Sequence, residues 1–262
     1  MTRPLTLALL LAFPLVHVHC ADLEKAPAFE VASITPCKPG TPAPAWEHAG
    51  MASFTSPGGR FKAEAVTLKF LVEWAYGVQP FQHSDGPSWI GSGRYDIAAK
   101  AEGNPTEEQM KRMVQTLLDE RFHLMLRREQ KKLPAYVISV GKTPPKLVPA
   151  KEGGTFAMRA TPVMGVDQKI AAYRIVGTRF RVVQLLDVFG RHMGRVMVNE
   201  TGLEGEYDFT LDLVPDETLP NPMDPSMLLT GMRDQLGLTV KAQDTQVEYL
   251  AIESAEKVVA GN

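Results

Sequence analysis

Arg94-Tyr-Asp-Ile-Ala-Ala-Lys-Ala-Glu-Gly-Asn-Pro-Thr-Glu-Glu-Gln-Met-Lys-Arg-Met-Val-Gln-Thr-Leu-Leu118 changes its hydrophobic period partway along. Over residues 94–100 apolar and polar side chains alternate. Tyr95, Ile97 and Ala99 share one face, as a half-buried strand requires. From Met110 the period lengthens: Met110, Met113, Val114, Leu117 and Leu118 fall on one helical stripe. Asn104-Pro105 marks the switch, with Pro at the first helical position and Glu107 at the third, the spacing of a capping box. A strand feeding directly into an amphipathic helix predicts an α+β fold.

The same grammar extends upstream. Phe29-Glu-Val-Ala-Ser-Ile34 alternates and reads as a strand, and four prolines within 36–44 make an extended connector. Arg60-Phe-Lys-Ala-Glu-Ala65 is a second strand. Thr67 caps a helix over 68–76 carrying Leu68, Leu71, Val72 and Ala75, and Gly77 stops it. A loop around Gly86-Pro-Ser-Trp89 leads to the opening stretch. Downstream, residues 124–128 and 135–140 read as two strands of a closing hairpin.

A second connector covers 143–171, and then the order recurs. Residues 173–177 form a strand. Val182, Val183, Leu185, Leu186 and Phe189 lie on a helix, and Thr201-Gly-Leu203 is a turn. Tyr207, Phe209, Leu211 and Leu213 make one face of a strand. Asp224-Pro225 opens a helix with Leu228, Leu229, Met232 and Leu236, ended by Gly237. Residues 238–241 and 247–253 close as another hairpin. Leu71 matches Leu185, Tyr95-Asp96 matches Tyr207-Asp208, Phe122 matches Leu236 and Tyr136 matches Tyr249, at offsets of 112 to 114. That period is far too long for a solenoid unit. The expectation is two similar strand-helix-strand-helix-hairpin halves, 28–142 and 172–257, disposed about a pseudo-two-fold.

The 262 residues carry 28 Lys+Arg and 30 Asp+Glu, a formal charge of −2. A near-neutral surface lacks the basic field a nucleic-acid partner needs. Residues 1–21 hold Arg3 near the start, an apolar run over 5–18 too short to span a bilayer, and no acid. They read as a cleaved secretory signal peptide, with the cut near Cys20 or Ala21. Removing them leaves a net charge of −3. His19 before Cys20 argues against a lipoprotein cysteine. Cys37 is then the single cysteine, so no disulfide framework holds the fold. The expected location is secreted or periplasmic, with no transmembrane span in the mature chain.

Several of these segments resemble a known family. They are Phe29-Glu-Val-Ala-Ser-Ile34, Val66-Thr-Leu-Lys69 with Trp74-Ala-Tyr-Gly77, and Gly86-Pro-Ser-Trp89 with Arg94-Tyr-Asp-Ile97. Leu117-Leu118 with Arg121-Phe122, and Thr201-Gly-Leu203 with Gly205-Glu-Tyr-Asp-Phe209, belong to the same set. Together they are similar to the soil-associated secreted proteins of unknown function, across nearly all of the mature chain. The resemblance implies an extracytoplasmic protein with no established activity. In some relatives a similar domain follows a membrane metallopeptidase of the β-lactam-sensor type, which implies sensing or binding by association. The chain departs from the pattern at Val196-Met-Val-Asn-Glu-Thr-Gly-Leu203. Asn199 stands where the family often has Asp, which puts any role for a carboxylate there in doubt. The order of elements is also similar to the small N-terminal domains of secretins and TonB-dependent receptors.

Familiar chemistries are missing. His48, His83, His123 and His192 stand at no metal-ligand spacing, and no metal or cofactor is expected. Ser88 and Ser92 lack the glycine pattern of a nucleophile elbow and read as turn residues. Ser139-Val-Gly-Lys142 and Ser254-Ala-Glu-Lys257 fit Ser-x-x-Lys, but both follow strands rather than open a helix. Asp96 and Asp208 pair across the repeat, either as acid/base carboxylates or, more simply, as outward neighbours of Tyr95 and Tyr207. The basic run Arg127-Arg-Glu-Gln-Lys-Lys132 reads as a solvated hairpin.

One cluster distinguishes the first half. Trp74, Tyr76, Phe81, His83 and Trp89 gather around one loop, where the second half has only Phe189. Such a loop can bind a flat apolar or sugar face. The commoner arrangement puts Trp74 in the core with Trp89 plugging the loop onto it. The expected function is an extracytoplasmic binding or interaction module without catalysis, its partner an unknown ligand or envelope protein. The alternatives are an extracytoplasmic hydrolase with an unrecognised site, and a cell-envelope assembly module.

Overall fold

The computed structural model describes residues 26–44, 54–56, 58–142, 144–215, 224 and 226–258. Residues 1–21, which read as a signal peptide, with Cys20, and His48 lie outside them. Two four-stranded sheets and one three-stranded sheet are joined by four helices among these residues.

The first sheet takes β1 (Val31–Pro36), β2 (Thr55–Ser56), β3 (Arg60–Thr67) and β4 (Arg94–Lys100), in the order β1-β4-β3-β2, all antiparallel. Alternation along β3 and β4 turns Phe61, Ala63, Tyr95 and Ile97 inward. On that face lie α1 (Leu68–Tyr76) and α2 (Glu107–Phe122). The Thr67 hydroxyl accepts the Phe70 N–H at 3.2 Å and opens α1. Gly77, at φ 66°, ends α1 in the left-handed conformation that a side chain would strain. The start of α2 is a correction. Its N-cap is Thr106, boxed with Gln109 rather than Glu107, because the Asn104 side chain instead accepts the Gly58 N–H.

The second sheet takes β6 (Val148–Pro149), β7 (Ala157–Met164), β8 (Ile170–Phe180) and β10 (Tyr207–Leu213), in the order β6-β10-β8-β7. Strands β6 and β7 fall inside 143–171, a span that reads as connector because β7 is exposed on both faces and has no alternation to betray it. Helix α3 (Val182–Met193) and α4 (Ser226–Asp234) complete this half. Asp224 caps α4 by accepting the Ser226 N–H at 2.8 Å. The strand order matches that of the first sheet, while the order along the chain differs by an extra strand over residues 196–200 between α3 and β10. A detail matches too. Ala65 (φ 50°) and Arg179 (φ 56°) are left-handed residues near the end of β3 and β8. The Asp96 carboxylate accepts the Ala65 N–H at 2.8 Å, and Asp208 accepts the Arg179 N–H at 2.9 Å.

The closing hairpins do not form. Residues 125–140 are one strand, β5 (Met125–Val140), and residues 238–254 are another, β11 (Leu238–Ser254). They pair with each other, antiparallel, from Leu126 opposite Ile252 to Val140 opposite Leu238. β9 (Val196–Glu200) joins β5 in parallel, giving the order β11-β5-β9. The charged run 127–132 looks like a turn because both of its faces are wet. Pro134 is tolerated because β9 pairs with β5 only from Ala135 onward, so Pro134 precedes that ladder.

The two long strands also exchange cores. Leu250 and Ile252 of β11 sit among Phe61, Leu71, Leu118 and Phe122, in the core of the first half. Ile138 of β5 sits among Leu185, Phe189, Phe209 and Leu211, in the core of the second. Each core is closed by a strand from the other half.

Candidate functional site

Helices α1 and α3 face each other across a cavity of about 150 Å³. Phe70, Glu73, Trp74 and Gly77 line it from the first helix and its cap. Gln184, Asp187, Val188 and Arg191 line it from α3. Both sets follow the i, i+3, i+4, i+7 spacing of one helical face. Glu107 and Lys111 of α2, Arg181, Phe156 and Phe180 complete the walls.

Glu73 is 4% exposed, the one acid on a mostly apolar helix. Its Oε1 lies 3.0 Å from His83 Nε2, and its Oε2 accepts Arg191 Nη1 at 2.6 Å. Burial pushes this carboxyl up, but the His83 bond and the Arg191 guanidinium together outweigh it and hold it below the ordinary range. Arg191 Nε also reaches Asp187 Oδ2, at 3.4 Å. Among the described residues the Asp187 carboxylate forms no other hydrogen bond, and burial, the larger influence, pushes it up despite Arg191. At the mouth, Glu107 accepts Arg181 Nη2 at 3.1 Å and pairs with Lys111 at 3.1 Å. The Lys111 ammonium stands 5.6 Å from the Trp74 ring, and the Arg191 guanidinium 5.0 Å from Phe70. Two ion-pair bridges, Glu73–Arg191 and Glu107–Arg181, therefore span the cavity between the halves. Gln79 adds a third tie, donating to the Met197 carbonyl and accepting its N–H, both at 2.9 Å.

The five residues of the aromatic loop are not gathered on one surface. Trp74 lines the cavity while packing on Phe54 and Phe61. Tyr76 lies under the Arg128 guanidinium at 5.6 Å, and burial raises its hydroxyl despite that charge. Phe81 is exposed on the loop. His83 is sealed, with its Nδ1 2.8 Å from the Ser84 carbonyl oxygen and its Nε2 on Glu73. Trp89 stacks on Phe122, with ring centroids 6.4 Å apart, and meets Tyr95 edge-on.

The remaining candidates have local duties. Asp96 and Asp208 each serve a bulge in their own sheet. Ser139 lies within β5 and Ser254 ends β11, so neither opens a helix. Asn199 accepts the Thr201 N–H and hydroxyl at 3.0 and 2.8 Å, a turn that needs only an oxygen acceptor. Among the described residues no group of three or more His, Cys, Asp and Glu is placed to hold a metal ion. No helix among them is long and apolar enough to cross a membrane.

Sequence reasoning passed over Glu73, Asp187 and Arg191. A signal was present. Glu73 and Asp187 are separated by 114 residues, the same offset that relates Leu71 to Leu185, and each is the one acid of its helix.

No curated protein and no solved structure matches the chain. One family does, over residues 69–255, a span that contains all of α1 but its first residue, the whole of α3 and both exchanged strands. The chain belongs to DUF3738, a family of proteins of unknown function.

Proposed function

We propose that this chain is an extracytoplasmic binding module, exported on residues 1–21, that seats a small polar ligand between α1 and α3 without catalysing a reaction. The observation that carries the reading is the cavity itself. It is walled by aromatic rings and by charges already fixed by ion pairs, the pre-organised lining a ligand seat requires. The shared strand order of the two sheets supports reading the chain as one half used twice, with the seat at the join.

A thermal-shift screen of residues 22–262 against glycans, peptidoglycan fragments, β-lactams and small metabolites tests this, because a ligand that prefers the native state raises the melting point. Val183→Trp supplies the control. Val183 is 54% exposed at the cavity wall, so the larger ring obstructs the seat without disturbing the core. A stabilising compound that loses its effect on V183W supports the seat. Binding untouched by V183W places the ligand elsewhere and removes it.

A hydrolase is the second reading, favoured by one observation: Asp187 is an acid pushed above its usual range in a cavity. The nearby Glu73–His83 pair does not extend this into a relay, since His83 is sealed and both of its ring nitrogens face protein oxygens. Turnover of chromogenic esters, glycosides or a β-lactam, lost in Asp187→Asn, would replace the binding reading.

A further inference from the structure

Strand β7 is the outer strand of the second sheet, bonded to β8 on one side only among the described residues. It is 8 residues long, exposed on both faces, and carries one charge, Arg159. Other edges are short or guarded. β2 and β6 have 2 residues each, and β1 ends at Pro36. The outer edge of β5 before Ala135 bears Arg127, Arg128, Lys131 and Lys132. Gln79 binds the Met197 backbone of β9, and Gln82 and Ser84 bond Leu250 of β11. The direction of the β7 backbone follows from its neighbours. The Gln235 side chain takes both the N–H and the carbonyl of Asp212, so Asp212 turns away from β8. Leu211 and Leu213 therefore bond across to Ile175 and Tyr173. Tyr173 and Ile175 then turn away from β7, and opposite them Pro162 and Ala160 turn their backbone groups outward. Met158 does the same two residues back. Proline, which has no N–H, belongs at such an outward position. The free edge thus offers donors at Met158 and Ala160, and carbonyls at Met158, Ala160 and Pro162.

We propose that β7 pairs antiparallel with β7 of a second copy of the chain, about a two-fold axis at Ala160. In that register the two Ala160 residues exchange N–H and carbonyl. Each Met158 N–H meets the Pro162 carbonyl of the other copy, so the proline leaves only the Met158 carbonyl to water. Met158 packs on Pro162 and Ala157 on Val163 across the axis, and Arg159 comes opposite Thr161. Moving the axis to Arg159 sets the two guanidiniums opposite each other, which repulsion disfavours. Moving it to Thr161 carries the pairing into the irregularity between Val163 and Met164. Around the hairpin tip beyond the strand, Met164, Val166 and Ile170 are 57%, 107% and 41% exposed. Antiparallel pairing lays that tip along the other copy's residues before β7, and covers apolar surface that one chain leaves wet. The two second sheets become one continuous sheet. This pairing is independent of whether the cavity holds a ligand.

Sedimentation equilibrium of residues 22–262 from about 1 μM to about 0.5 mM tests this, with a dimer expected within that range. Ala160→Pro removes the central donor without breaking a bond to β8, and should weaken dimerisation at least about tenfold. Thr161→Arg, set against Arg159, should weaken it by up to about tenfold, and Thr161→Glu should tighten it by as much. Thr161 is exposed, so this pair of variants decides even if A160P fails to fold. Cross-linking in a Cys37→Ser background reads the register. Ala160→Cys should form a disulfide between copies, its Cα atoms lying about 5.5 Å apart. Arg159→Cys, whose copies stand diagonally and too far apart, should not. A chain that stays monomeric throughout overturns the proposal, even if the edge accepts an unrelated extended peptide. So does a dimer unmoved by T161R and T161E, or one that cross-links through Arg159→Cys in preference to Ala160→Cys.

Discussion

Arg191 serves two carboxylates from one helical turn of α3, and the two respond in opposite directions. Glu73 is held low by His83 and Arg191 despite its burial. Its contribution to stability is complete above the ordinary glutamate value of about 4.3 and is lost as pH falls through the lower folded value. Removing the guanidinium leaves Glu73 buried beside His83 alone. Arg191→Met is therefore expected to cost about 3 kcal/mol, read from the urea midpoint at constant slope. Asp187 is held high by burial, so at neutral pH its ionisation works against the fold. Asp187→Asn should raise the melting point at neutral pH. The gain should vanish below about pH 3.9, where folded and unfolded chains both carry the proton. A variant that melts higher but binds less is the usual signature of a functional group kept at a cost to stability. Neither residue is conspicuous in one helix read alone. A single acid in a helix is ordinary, and what singles these out is their shared 114-residue offset and the one cavity that both helices face.

Helices and strands were legible wherever their cause is local. The bounds of α1 follow from Thr67 and Gly77, and β4 from the alternation over 94–100, because capping and pleating act within a few residues. Elements without a local cause escaped. Strand β7 has no buried face, and β9 is short and finds its partner in parallel, far away in the chain. Glycine in β8 is a further case where the neighbour decides. A methyl added at Gly177 would run into the Phe209 ring, which is buried against Phe180 with centroids 5.6 Å apart and has no room to retreat. Gly177→Ala is expected to cost about 1–3 kcal/mol by overpacking, although alanine suits a strand better than glycine. Equilibrium denaturation of that variant checks the claim, and no loss would mean that the Phe209 ring shifts freely.

At the scale of the molecule the halves depend on each other. Residues 26–142 alone lack Leu250 and Ile252 for their core and lack the whole partner of β5. That fragment should show no cooperative unfolding transition, and mixing it with 144–258 should restore one. A fragment that unfolds cooperatively by itself would mean that the exchanged strands are dispensable. The hydrophobic periods, the caps and the recurring order of elements were encoded in short stretches, so the α+β class could be read without coordinates. Pairing of β5 with β11 could not, since from Val140 with Leu238 to Leu126 with Ile252 it joins residues 98 to 126 positions apart, and the run 127–132 looks identical as a turn or as a wet ribbon. The cavity follows from that pairing. Glu73, Asp187 and Arg191 became one site because the exchanged strands set α1 against α3, a placement decided by packing between distant segments and written in no single one of them.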